Sequence, residues 1–285
     1  MLKFGQKLAM LMLSLADPPR LARALLRPCP QPMSGELETG GAAEPVEFPT
    51  KEGLFCRGWW IRPEEGADPD RCVVLAHGWT SHALRMQPLV PPLLERGFAV
   101  LLYSARSHGN SDWFPVCSAQ QFAEDVAAAV AFARRRAPRV AVVGHSLGAA
   151  GTILAAADGV MDAAVALASP AHPAEAMVDL LRSQGVPVER VFPRVRPYME
   201  ATLACSLDSM APERRVTEVR CPLLLIHGSA DEVVPVAHFH RLCRAAGARA
   251  ETLLVEGATH DSIKRLPEVL ERIRAFLERT LPAGA

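Results

Sequence analysis

Little lysine, no excess of either charge and no long apolar run mark these 285 residues. Only four of the 31 basic side chains are Lys (Lys3, Lys7, Lys51, Lys264), and 31 acidic ones balance them. A formal net charge of zero removes the long-range attraction that a phosphate backbone needs, so nucleic acid is not an expected partner. The seven cysteines are odd in number, widely spaced and free of any Cys-x-x-Cys pair. That excludes a disulfide framework or a zinc site and points to reduced, mostly buried thiols in a reducing, cytoplasmic compartment. Neither Gly-Lys-Ser/Thr nor His-Glu-x-x-His occurs, so nucleotide and zinc chemistry have no support: no cofactor and no metal are expected. Charged residues at 22% and hydrophobic ones at 49% are ordinary for a globular enzyme or binding module.

The N-terminus leaves a choice open. Lys3 and Lys7 precede Leu8–Ala16, about nine apolar or small residues, against the ~20 that a spanning helix needs. Pro18-Pro19 and the amphipathic Leu21–Arg27 follow. Residues 1–27 are read as two packed helices, as a peripheral membrane contact or as a cleaved signal, with secretion the weakest of the three. The segment 28–49 holds five prolines and three glycines and reads as a linker. Residues 1–50 are therefore expected to form a helical appendage and linker, and 51–285 the main domain.

From Phe55 onward, short apolar runs alternate with helical patterns. The expected strands are Phe55–Ile61, Cys72–Ala76, Phe98–Tyr103, Val140–Val143, Ala164–Ala168, Leu223–His227 and Thr252–Val255. Runs such as Val73-Val74-Leu75 and Leu223-Leu224-Leu225-Ile226 are apolar at successive positions, as in strands covered on both faces. The pattern predicts an α/β domain with a mostly parallel central sheet and helices on both faces. Residues 170–215 break the alternation with prolines and short helical patterns, and they read as a small helical lid. Its six Arg are matched by six acids, so it is a solvated amphipathic surface rather than an anion trap.

Gly144-His145-Ser146-Leu147-Gly148 lies between the strand Val140–Val143 and a helix of small residues. A serine on so tight a strand-to-helix turn needs glycine on both sides, and the turn lifts its hydroxyl above the sheet edge. The Leu147 N–H then sits at a helix N-terminus, suited to a developing oxyanion. Serine is a poor nucleophile until a base takes its proton, so a histidine and a carboxylate are needed downstream. Asp231 lies just past the strand Leu223–His227 and His260 just past Thr252–Val255, on the same sheet edge. Glu232 and Asp261 are weaker rivals for the acid. His145 reads as a packing residue, and the His238/His240 pair reads as a solvated helix face because positions two apart point away from each other.

In this order, His77-Gly78-Trp79, Arg106–Ser111, the Ser146 elbow and the Asp231 and His260 loops resemble the α/β-hydrolase superfamily, in its esterase/lipase and serine-aminopeptidase-like group. The resemblance runs from about Phe55 to the C-terminal helix. It implies the α/β-hydrolase fold with a catalytic triad of Ser146, Asp231 and His260, and an oxyanion hole formed by the Trp79 and Leu147 amides. The implied activity is a cofactor-independent, lipase-like serine hydrolase acting on a small-molecule ester or amide. Carboxylic esters of small to medium apolar acyl groups come first, with peptidase, thioesterase or acyltransferase activity as alternatives. A catalytically silent binding protein of the same fold is the alternative of another class. One departure stands out: Ser107 occupies the place of the first glycine in the family's Arg-Gly-His-Gly-x-Ser loop.

Overall fold

The computed structural model describes residues 4–38, 40–63 and 70–283. Lys3 lies outside them. Eight strands form one sheet: β1 (Ala42–Pro49), β2 (Phe55–Arg62), β3 (Arg71–Ala76), β4 (Ala99–Ser104), β5 (Arg139–His145), β6 (Ala163–Leu167), β7 (Leu223–Gly228) and β8 (Ala250–Val255). Their spatial order is β1-β2-β4-β3-β5-β6-β7-β8, with the β1–β2 and β2–β4 pairs antiparallel and the remaining neighbours parallel. This is the α/β-hydrolase fold.

The continuous apolar runs divide between two cores. Val74, Leu101, Val140 and Val142 face one side of the sheet, and Val73, Val100, Leu102 and Val143 the other. Successive strand residues point to opposite faces, so a strand buried on both sides has no polar position. The helices are α1 (Phe4–Ala16), α2 (Pro18–Leu26), α3 (Val90–Leu94), α4 (Ala119–Ala133), α5 (Leu147–Ala157), α6 (Pro173–Ser183), α7 (Val188–Leu203), α8 (Pro212–Arg215), α9 (Val236–Ala246) and α10 (Pro267–Thr280). Residues of α4, α5 and α9 fill the first core and residues of α3 and α10 the second. Ser118 caps α4, its hydroxyl accepting the Gln120 N–H at 3.1 Å.

One feature differs from the sequence reading. The segment expected to be a linker contains β1, whose Pro45 and Pro49 hid it. Proline is tolerated there because β1 is an edge strand and lacks a ladder partner on one side. Phe48 anchors it, buried against the rings of Tyr103 and Phe132 at 5.5 and 5.4 Å. The N-terminal helices pack on the main core. Leu21, Ala22 and Leu26 are buried in the same apolar cluster as Phe122 and Val126, and α1 and α2 both pack on α7. Helices α6 to α8 occupy the interval between β6 and β7, where the lid is expected. No helix among the described residues is long and apolar enough to cross a membrane.

Candidate active site

Strand β5 runs directly into Ser146, whose backbone takes φ 57° and ψ −122°. A non-glycine residue in that region is strained, and the surroundings must enforce it. A side chain on Gly144 would collide with Thr152 and the Gly148 carbonyl, and one on Gly148 with the carbonyls of Ala76 and His77. The two glycines thus let strand, turn and helix close around the serine. The Ser146 N–H donates to the Leu167 carbonyl at 2.9 Å, tying the turn to β6. Ser146 and Leu147 are half-buried, and the Leu147 amide opens α5, where no intrahelical acceptor exists for it.

The candidate acid and base come from the turns after β7 and β8. Asp231, its side chain fully buried, accepts the Val233 and Val234 N–H groups on Oδ1 at 2.9 and 2.8 Å. Its Oδ2 accepts His260 Nδ1–H at 2.7 Å. That bond fixes the tautomer: Nδ1 carries the proton and Nε2 is the free base. Glu232 is exposed, and Asp261 turns instead to Lys264 Nζ at 2.8 Å. Among the described residues Ser146 Oγ makes no hydrogen bond; contacts of this kind often tighten only when substrate is bound.

His145 does more than pack. Its Nε2 bonds the His260 carbonyl at 2.8 Å, its ring tilts against the His260 ring at 4.6 Å, and Lys264 Nζ lies 3.4 Å from its Nδ1. A Lys264 ammonium can only donate, which leaves His145 Nε2–H to donate to His260. Burial holds the His145 ring well below its ordinary pKa, so it stays neutral beside His260. This brace was not legible in the sequence, since Lys264 and His145 are far apart along the chain.

His77 is structural. It is buried, its Nε2 accepts the Ala105 N–H at 2.9 Å, and its Nδ1 donates to the Gly78 carbonyl at 2.7 Å. Trp79 follows it at the end of β3, and among the described residues its own N–H has no acceptor. The Trp79 and Leu147 side chains line one apolar cavity together with Met177, Met199, Leu203 and Met210 of the lid. Leu25 and Leu26 of α2 also line it, a role invisible in a segment read as an appendage. The reading of His238 as a solvated residue is corrected. It is buried, its Nδ1 accepts the Ala171 N–H at 3.2 Å, and the lid base covers it; His240 is exposed. Among the described residues no group of His, Cys, Asp and Glu could hold a metal ion.

The family description "Serine aminopeptidase, S33" matches residues 67–212, which is just over half of the chain. The chain belongs to this α/β-hydrolase family. Membership makes it a hydrolase. Among curated proteins it is similar to YfhR of Escherichia coli O157:H7, 27% identical over 226 residues that cover 77% of this chain and 74% of YfhR. Among solved structures it resembles the Pyrococcus furiosus esterase Pf2001, with a TM-score of 0.70 and 22% identity over 89% of this chain and 100% of that one. Est1E of Butyrivibrio proteoclasticus, solved with ferulic acid bound, superposes with a TM-score of 0.67 at 19% identity, over 83% of this chain and 99% of that one. At these identities the two likenesses speak for the fold of the family.

Proposed function

We propose that this hydrolase cleaves carboxylic esters of small to medium apolar acyl groups through an acyl-enzyme on Ser146. The observation that carries the reading is the Asp231–His260 contact, which sets the His260 tautomer on the sheet edge where Ser146 stands strained. His260 Nε2 takes the Ser146 Oγ proton as Oγ bonds to the ester carbonyl carbon. The oxyanion accepts the Trp79 and Leu147 N–H groups. As the carbonyl re-forms, the alkoxide leaves with the proton from His260. Water then repeats the sequence, releasing the acid and restoring Ser146.

The cavity supports an ester rather than an aminopeptidase substrate. Its lining holds no carboxylate, and Ser118 is its one hydroxyl, so a protonated amino terminus would be buried there without a partner. An apolar acyl chain meets Leu, Met and Trp side chains instead. The test is turnover of short-chain p-nitrophenyl esters together with labelling by a fluorophosphonate probe. Ser146→Ala is expected to abolish both; persistent turnover in that variant would overturn the assignment.

A further inference from the structure

Helix α1 is built the wrong way round for water. Ser14 is buried and Lys7 half-buried, whereas the outward positions Leu8, Ala9, Met12, Leu15 and Ala16 recur at three- and four-residue intervals and carry no charge. Leu8, Met12 and Leu15 are 49, 57 and 56% exposed. Helix α2 continues with Leu21, Ala22 and Leu26 buried and with Arg20, Arg23 and Arg27 outward. Among the described residues none of these three guanidinium groups pairs with a carboxylate. The one acid between residues 4 and 35 is Asp17, whose carboxylate accepts the Arg20 N–H. Exposed Trp113 completes the edge of this face, with Arg27 Cζ 5.9 Å from its ring centroid.

We propose that α1 and α2 form a docking surface for an anionic lipid bilayer, and that the acyl cavity is filled from that surface. An uncharged outward stripe followed at once by unpaired arginines is the pattern of a helix pair that lies in a membrane interface, with apolar side chains among the acyl chains and cations at the headgroups. A second copy of the chain fits less well, because a two-fold contact through this face brings its arginines toward those of the partner. The link to catalysis runs through α2, whose Leu25 and Leu26 line the cavity beside Trp79 and Leu147. The inference therefore rests on the ester-hydrolase reading of that cavity for its purpose, although not for its binding measurement.

The experiment is co-sedimentation of the full chain with phosphatidylcholine vesicles, with and without phosphatidylglycerol, at low and high salt. Binding is expected only with phosphatidylglycerol and is expected to weaken with salt. Arg20→Gln/Arg23→Gln is expected to weaken it about thirtyfold, near fivefold for each cation lost at an anionic surface, and Leu8→Ser/Met12→Ser/Leu15→Ser to abolish it. Both variants should keep wild-type turnover of a soluble short-chain ester, which separates failed docking from a failed hydrolase. Wild-type chain that ignores anionic vesicles, or variants that bind them as well as wild type, overturns the proposal. A wild-type dimer that the serine variant converts to monomer also overturns it, giving the face to a second copy.

Discussion

Asp231 spends both carboxylate oxygens on fixed partners: two backbone amides on one and the His260 ring on the other. Its orientation is thus set by the turn after β7 before any substrate arrives. An amide at this position keeps the shape but offers an N–H₂ group where His260 needs an acceptor, so the ring is driven to the other tautomer. Asp231→Asn is expected to lower kcat on the order of 10⁴-fold with KM little changed, read by steady-state kinetics on a p-nitrophenyl ester. A loss below about tenfold would move the acid role to another carboxylate. The neighbouring His227 supports this arrangement from behind. Its Nε2 donates to the Val234 carbonyl at 2.9 Å, and burial holds the ring below its ordinary pKa. Asp231 therefore faces a neutral imidazole there rather than a second cation.

The loop after β4 does for the Trp79 side of the site what the β7 turn does for Asp231. Buried Arg106 donates through Nε to Asp125 Oδ1 at 2.7 Å and through its backbone N–H to Oδ2 at 2.8 Å. His108 of the same loop accepts the Thr80 N–H at 3.2 Å, next to Trp79. Burial pushes the Asp125 carboxyl up to about 6 despite Arg106, which shows how heavily desolvation weighs on this pair. Arg106 also reaches Glu52 Oε2 at 2.7 Å and Glu124 Oε2 at 3.3 Å, so Asp125→Ala leaves the guanidinium partly paired and should lower the unfolding free energy by about 1–3 kcal/mol. Arg106→Met leaves the fully buried Asp125 without its cation and should cost more than Arg106→Met/Asp125→Leu, which leaves only the partly exposed Glu52 and Glu124 without theirs; urea unfolding midpoints with equal slopes check the order. Ser107, the departure from the family glycine, sits at φ 63°, and its hydroxyl exchanges two 2.7 Å bonds with the Phe114 backbone, which offsets the strain of a side chain there. Such loops show why legibility differs between elements. Strands β3 to β7 could be read because burial on both faces leaves only apolar residues, and Ser146 because its turn requires two glycines. Strand β1 was hidden by prolines that an edge position permits. The shielding of His238 and the cavity-lining role of Leu25 and Leu26 depend on the lid, whose placement is a long-range property that no local spacing encodes.

Across the whole molecule, the zero net charge is joined by an interior that keeps most of its histidines uncharged. His77, His108, His145, His227 and His238 are all held below the ordinary histidine pKa, each chiefly by burial. In the unfolded chain each takes up a proton near pH ~6.5, whereas in the fold each resists until the pH is lower. Within that window the unfolded state binds more protons, so stability is lost as pH falls through the unfolded value. Asp125 acts with the opposite sign. Its folded pKa is raised to about 6, so between its unfolded value and 6 the native state holds the extra proton and is favoured by acid. One carboxyl is set against five imidazoles, and the imidazoles prevail. Thermal midpoints at constant ionic strength are therefore expected to fall from about pH 7.5 to about 5.5, with uptake of more than one proton on unfolding. A midpoint that is flat or rises over that interval would show that these rings titrate in the native state, and that the packing around His77 and His145 is looser than their burial requires.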